Sequence, residues 1–277
     1  MQKRAVDDII YSKRKTAREK GVSATGKIIA LANQKGGVGK TTSAVNIAAS
    51  LGILGKKVLL VDLDPQGSAT SSLGVAKKTL CFTAADLLVG GCRFDSARIT
   101  TKFKGLDLIP ANVSLAATEF DLIEREGGEV ALRRALSAVR DDYDYIILDC
   151  PPSLGMLTVN AMVAGDGVII PMQCEFFALE GLVQLMTTIK QLRRRYNPRL
   201  AVIGILATMF NERMELATDV LAELKKHYGD RVFDTRIVRC DRLSEAPGFG
   251  MPVYYHDDES TGSAEYLQAA KELLDRI

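Results

Sequence analysis

Residues 33–42 read Asn-Gln-Lys-Gly-Gly-Val-Gly-Lys-Thr-Thr, set between the apolar run Ile28 to Ala32 and a helix-periodic segment beginning near Ala44. This leaves the chain little choice of fold. A buried strand that turns through glycines into a helix is the unit of an α/β sheet, and it aims backbone N–H groups at one point. The helix N-terminus adds the positive end of its dipole there. Phosphate oxygens suit such a cradle: Lys40 is placed to reach the β- and γ-phosphates, and Thr41 to offer a hydroxyl to Mg²⁺. Gly36, Gly37, Val38, Gly39 and Thr42 complete the candidate loop. The strict spacing G-x-x-x-x-G-K-[ST] fails by one position, because its first glycine falls on Gln34. A second lysine, Lys35, stands just before the glycines instead.

Apolar runs of strand length at 27–33, 58–62, 106–109, 145–149, 167–171, 202–208 and 232–237 alternate with helix-period segments. Those segments lie near 41–54, 83–89, 129–141, 155–164, 178–196, 213–228 and 263–276. Ile/Val/Leu strands without polar alternation are buried on both faces, which predicts a doubly wound, mostly parallel sheet flanked by helices. Ligands of such sheets sit beyond the carboxyl ends of the strands. Two further strands end there in acids. Val58–Asp62 runs into Leu63-Asp64-Pro65-Gln66-Gly67, and Tyr145–Asp149 runs into Cys150-Pro151-Pro152-Ser153. Asp62 and Asp64 share a face if the strand continues. Asp149 has the form of a Walker B acid, suited to hold the water shell that Mg²⁺ keeps. One strand-end aspartate more often caps a turn. Three at the edge that carries the glycine loop argue for a single site.

Length and composition suit one large α/β core, with 277 residues of which 47% are apolar. No run of 18 apolar residues exists, and no signal-peptide stretch opens the chain. The five cysteines (Cys81, Cys92, Cys150, Cys174 and Cys240) form no C-x-x-C pair and suggest reduced thiols in a cytoplasm. His227 and His256 do not cluster with them, which argues against structural zinc. The net charge of +2 is uneven: residues 1–25 hold seven bases and three acids, so the other 252 residues carry −2. The sequence therefore divides into a basic N-terminal arm, 1–26, and a slightly acidic body, 27–277. The arm reads as a solvated tail or short helix, ahead of a DNA contact.

Lys35-Gly36-Gly37-Val38-Gly39-Lys40-Thr41-Thr42, Val61-Asp62-Leu63-Asp64-Pro65-Gln66-Gly67 and Asp149-Cys150-Pro151-Pro152-Ser153 together resemble the three motifs of the ParA/MinD family of deviant Walker A ATPases. Gln173-Cys174-Glu175-Phe176-Phe177-Ala178-Leu179-Glu180-Gly181 and Arg242-Leu243-Ser244-Glu245-Ala246-Pro247 match its chromosomal ParA (Soj) branch. The resemblance implies an Mg²⁺-dependent ATPase in which ATP closes a homodimer. That dimer binds double-stranded DNA without sequence preference, and a ParB-type partner stimulates hydrolysis during chromosome or plasmid partitioning. It implies a cytoplasmic, nucleoid-associated protein with no membrane contact. Residue by residue, Lys35 becomes the lysine that crosses to the partner's phosphates, in the manner of an arginine finger. Asp64 becomes the acid that orients the attacking water, and Thr41, Asp62 and Asp149 serve the metal. Arg213 and Arg242 become the DNA contacts. Read without the family, each of these arginines is a solvated residue at a loop–helix junction.

The chain also departs from the pattern. Val238-Arg239-Cys240 replaces the family's Pro-Arg-Asn, which removes an amide from the expected adenine pocket, and Gly248 and Met251 replace a serine and a lysine. Three rival readings follow from the same loop. A Min-type membrane switch calls for a basic amphipathic tail, whereas residues 265–277 hold three acids and two bases and read as a packing helix. A nitrogenase iron-protein needs suitably placed cysteines. A related ATPase that positions a protein assembly differs in cargo alone.

Overall fold

The computed structural model describes residues 25–277, and residues 1–24, most of the basic arm, lie outside the described residues. Seven strands form one sheet in the order β3-β4-β2-β5-β1-β6-β7. They span Lys27–Leu31 (β1), Val58–Asp62 (β2), Ile99–Thr100 (β3), Leu106–Ile109 (β4), Tyr145–Asp149 (β5), Gly167–Gln173 (β6) and Ala201–Thr208 (β7). All pairings are parallel except β3–β4, a two-residue antiparallel edge that the sequence pattern does not signal.

Side-chain alternation divides the core into two layers. Ile28, Ala30, Leu59, Val61, Ile146 and Leu148 face one layer of helices, while Ile29, Leu31, Val58, Leu60 and Ile147 face the other. Both sets are almost fully buried, as apolar strands covered on both faces require. The second layer contains the loop-borne helix Lys40–Ile53 and the C-terminal helix Thr261–Arg276. Tyr266 is buried there, and its hydroxyl lies 3.0 Å from that of Ser43. The expected packing helix is thus a core element, with Ala269, Ala270 and Leu273 turned inward.

Two expected elements differ. Residues 232–237 form no strand; they meet β7 through the isolated bridge Ile205–Val232 and through the amides of Phe233 and Ile237, which donate to the carbonyls of Ile205 and Ala207 (both 2.9 Å). Between those two amides the Glu272 carboxylate accepts the backbone amides of Asp234 (2.8 Å) and Thr235 (2.9 Å), which takes the middle of the stretch out of a continuous ladder. The expected helix 129–141 is broken into the 3₁₀ turn Gly128–Val130, the helix Ala131–Ser137 and the 3₁₀ turn Arg140–Asp142. The helix Ser114–Glu124 escapes sequence reading because Phe120 and Ile123 remain exposed on its outer face and blur the apolar period.

Candidate active site

The site is built where β1, β2 and β5 end side by side. Leu31 pairs with Asp149, and Asp149 with Asp62, so the second and third motifs are brought together by parallel register. The glycine loop leaves β1 through Asn33. That side chain donates to the Pro171 carbonyl of β6 (2.8 Å) and accepts from the Lys35 amide (3.0 Å), which roots the loop in the sheet. Gly37 and Gly39 adopt φ of 74° and 81°, the left-handed region that side chains resist. At this point the chain turns into the helix that begins at Lys40. From β7, Thr208 donates its hydroxyl to the Val38 carbonyl at 2.8 Å and supports the loop from beneath. Met209, next in the chain, is the one non-glycine residue among those described with positive φ (48°), and its methyl group approaches Gly39.

Lys40 is buried, and its ammonium donates to the Lys35 carbonyl at 3.0 Å. Burial lowers its pKa, while Asp149, Cys150 and Asp64 act in the opposite direction. The Lys35 ammonium points elsewhere, pairing with Glu175 at the surface.

The three acids differ in their surroundings. Asp62 is fully buried; one oxygen accepts from the Asp64 amide (3.1 Å), the other from the amide and hydroxyl of Thr70 (2.8 and 2.7 Å). Burial pushes its pKa up to about 6 against the pull of those hydrogen bonds. Thr70 in turn accepts from the Ala111 amide, tying β2 to the loop after β4. The strand ends at Asp62, and Asp64 lies in the turn beyond it, accepting from the Gln66 amide at 2.9 Å.

Asp149 is fully buried, and neither carboxylate oxygen has a hydrogen-bond partner of good geometry. Burial first, then the charge of Asp62, raises its pKa well above the ordinary carboxylate value; the Thr41 hydroxyl and Lys40 oppose the rise. An unpartnered buried carboxylate carries a desolvation cost that a hydrated cation offsets. Thr41, Asp149 and the neighbouring Asp62 therefore fit a hard, oxygen-seeking ion such as Mg²⁺.

Neither Arg213 nor Arg242 forms a hydrogen bond or ion pair with these acids. Arg213 lines a cleft of about 830 Å³ beside Glu175, Met209 and Arg236, and its amide donates to the Asn211 side chain. Arg242, on the short helix Asp241–Glu245, is held by Glu245 (2.8 Å) and Asp257 (3.0 Å). Sequence reading assigned no role to Glu175, Thr70 or Thr208. Glu175 was visible inside a motif, but contacts made across 140 residues leave no local signal.

A glycine loop opening a helix at the carboxyl edge of a parallel sheet, faced by a buried strand-end acid, defines a P-loop nucleotide-binding protein. A family model described as an AAA domain matches residues 26–202. The sporulation initiation inhibitor protein Soj of Bacillus subtilis is 49% identical over 248 residues, covering 90% of this chain and 98% of that protein. The chromosome partitioning protein ParA of Caulobacter vibrioides is 46% identical over 252 residues, covering 90% and 94%. The chain belongs to this family, in its ParA/Soj group of chromosome-partitioning ATPases. Among solved structures, one described as cobyrinic acid a,c-diamide synthase from Mycobacterium smegmatis, with bound ATP analogue and magnesium, superposes with a TM-score of 0.79. It is 38% identical, and the match covers 90% of this chain and 94% of that one. No helix among the described residues is long and apolar enough to cross a membrane.

Proposed function

We propose that this protein is an ATP-driven dimerisation switch that grips double-stranded DNA without sequence preference. A ParB-type partner then stimulates ATP hydrolysis, which releases the protein during chromosome or plasmid partitioning. The observation that carries the reading is the place of Lys35. It stands at the mouth of a phosphate cradle yet points outward, half-exposed and paired with the surface residue Glu175 rather than with the loop. Higher identity to the partitioning proteins than to the structure described as a synthase favours partitioning over amide synthesis.

In this reading the amides of Gly36 to Thr42 would surround the phosphates, Lys40 would exchange the Lys35 carbonyl for phosphate oxygens, and Thr41, Asp149 and Asp62 would hold Mg²⁺. The relative with bound ATP analogue and magnesium supports ATP and Mg²⁺ as the ligands. Mg²⁺ supplies neutralisation of charge on the β- and γ-phosphate oxygens. Asp64 orients the attacking water, and Lys35 of each subunit approaches the other's nucleotide, so hydrolysis waits for dimerisation. Arg213 and Arg242, doubled by the dimer, contact phosphates of the duplex. The ATPase unit spans residues 27–277, with 1–26 as an attached basic arm, and the protein works in the cytoplasm on the nucleoid.

Sedimentation and DNA retention, each measured with ATP, ADP and no nucleotide, test the switch. Dimers and DNA retention are expected with ATP alone. Equal behaviour in all three states overturns it.

A further inference from the structure

A second cleft, of about 510 Å³, lies between the helices Ala84–Val89 and Ala131–Ser137, and none of its residues belongs to the glycine loop or to the three acids. Leu87, Leu88, Phe94, Ala135 and Val139 give it an apolar lining, with Cys92 among them. Its rim carries Arg93, Arg125 and Arg134, all exposed and each from a different segment of the chain. The Arg125 guanidinium donates to the Val89 carbonyl at 3.3 Å, where the first of the two helices ends. That of Arg134 lies against the Gly127 turn, where an added Cβ would stand 3.0 Å from its Nη2.

The basic surface does not stop at the cleft. Arg133, about 100° round the same helix from Arg134, donates to the Tyr196 carbonyl at 3.5 Å. Tyr196 caps the helix Ala178–Arg195, whose last three residues are the exposed Arg193, Arg194 and Arg195. None of these arginines, on the rim or on the ridge, forms an ion pair with a described residue. Two acids of the same segments are already engaged: Asp95 pairs with Arg98, and Glu129 accepts the Tyr196 hydroxyl at 2.8 Å. An apolar cleft continued by a ridge of unpaired guanidinium groups calls for a partner that brings both apolar groups and anions.

Three kinds of occupant meet these features unequally. A small amphiphilic anion fills the cleft but leaves the ridge beyond it bare. A nucleic-acid duplex offers phosphates to the arginines but no apolar side chain to the cleft. A peptide with carboxylates on either side of a few apolar residues satisfies both. We infer that the cleft and the ridge together dock an acidic peptide segment of another protein, its apolar side chains between the two helices and its carboxylates along the arginines. Arginine forks take carboxylates through two parallel hydrogen bonds, so the rim orients the segment as well as attracting it.

Cys92 reports from the cleft itself. Its alkylation by N-ethylmaleimide in the full chain is followed by peptide mass spectrometry, with the exposed Cys81 as internal reference. The probe is random poly(Glu,Tyr), compared with poly-Glu of the same length, with dodecanoate and with a short DNA duplex. At about ten times its dissociation constant, poly(Glu,Tyr) should slow Cys92 about tenfold and leave Cys81 unchanged. Arg93→Glu with Arg134→Glu should abolish this protection. Poly(Lys,Tyr) should then protect the double variant but not the wild type, an exchange that a folding defect cannot produce. Equal protection by poly-Glu overturns the inference by leaving the apolar cleft no part. Equal protection by dodecanoate or by the duplex overturns it by making the occupant a small amphiphile or a nucleic acid. A Cys92 rate that falls with protein concentration alone makes the occupant a second copy, and a rate that no probe changes leaves the cleft without one; either overturns it.

Discussion

The Lys40 ammonium donates a 3.0 Å hydrogen bond to the carbonyl of Lys35, while the Lys35 ammonium is held by Glu175. The two lysines of the loop are thereby coupled. In the proposed cycle, bringing Lys40 onto phosphate frees the Lys35 carbonyl, and Lys35 leaves Glu175 before it reaches a partner.

Lys35→Ala should bind nucleotide with little loss, because Lys40 and the loop amides remain, yet stay monomeric and fail to hydrolyse ATP. Glu175→Gln should release Lys35 and lower the protein concentration needed for the ATP dimer. Each pair is half-exposed and worth about 0.2–1 kcal/mol; two break per dimer, so the dimer dissociation constant shifts by at most about thirtyfold. Sedimentation across a concentration series measures both. Wild-type turnover by a monomeric Lys35→Ala defeats the trans role.

Asp64→Ala should leave Mg-ATP bound, since Lys40, Thr41 and Asp149 are untouched. Hydrolysis should fall on the order of 10²–10⁴-fold with loss of the group that orients water. A dimer that persists on size exclusion after ATP addition is the expected result. Normal phosphate release moves the role to another residue.

Asp149→Asn removes a buried charge whose oxygens have no hydrogen-bond partner. The nucleotide-free protein should melt no lower than wild type, and the stabilisation that Mg²⁺ adds to the ATP complex should vanish. Thermal scans with and without Mg²⁺ check both parts. An undiminished Mg²⁺ effect removes Asp149 from the metal site.

Arg242 is held by Glu245 and Asp257. Arg242→Glu should abolish DNA retention while the ATP dimer survives, and Glu245→Gln should strengthen retention by relieving a nearby negative charge. Binding should weaken steeply between about 50 and 200 mM salt. Shift titrations across this range separate a phosphate contact from a structural ion pair. DNA binding unchanged in both variants excludes Arg242.

Glu272 accepts from Thr235 (hydroxyl and amide), Arg276 and the Asp234 amide. Burial alone pushes its pKa up, but these donors outweigh burial and hold it below the ordinary glutamate value. A depressed carboxylate contributes stability above its unfolded pKa and loses it as pH falls through the folded value. Glu272→Gln should therefore cost about 1–3 kcal/mol at neutral pH, and the gap from wild type should close below roughly pH 4. Urea melts at several pH values measure it, and a pH-independent gap defeats the assignment.

The sequence by itself determined the fold class and the strand, glycine turn and helix around which the site is built. Strand, glycine turn and helix are local, so hydrophobic period and glycine placement specify them without help from distant residues. The strands ending at Asp62 and Asp149 were legible for the same reason. Tertiary structure decided what those residues meet. Parallel register set Asp62 beside Asp149, Thr208 came from β7 to brace the loop, and Glu175 took Lys35. Residues 232–237 have strand-like sequence, but Glu272 captured the amides of Asp234 and Thr235, which lie between the two that reach β7. A side chain's partner depends on which elements the fold brings within hydrogen-bond reach. Local pattern carries no record of contacts made across 30 to 200 residues.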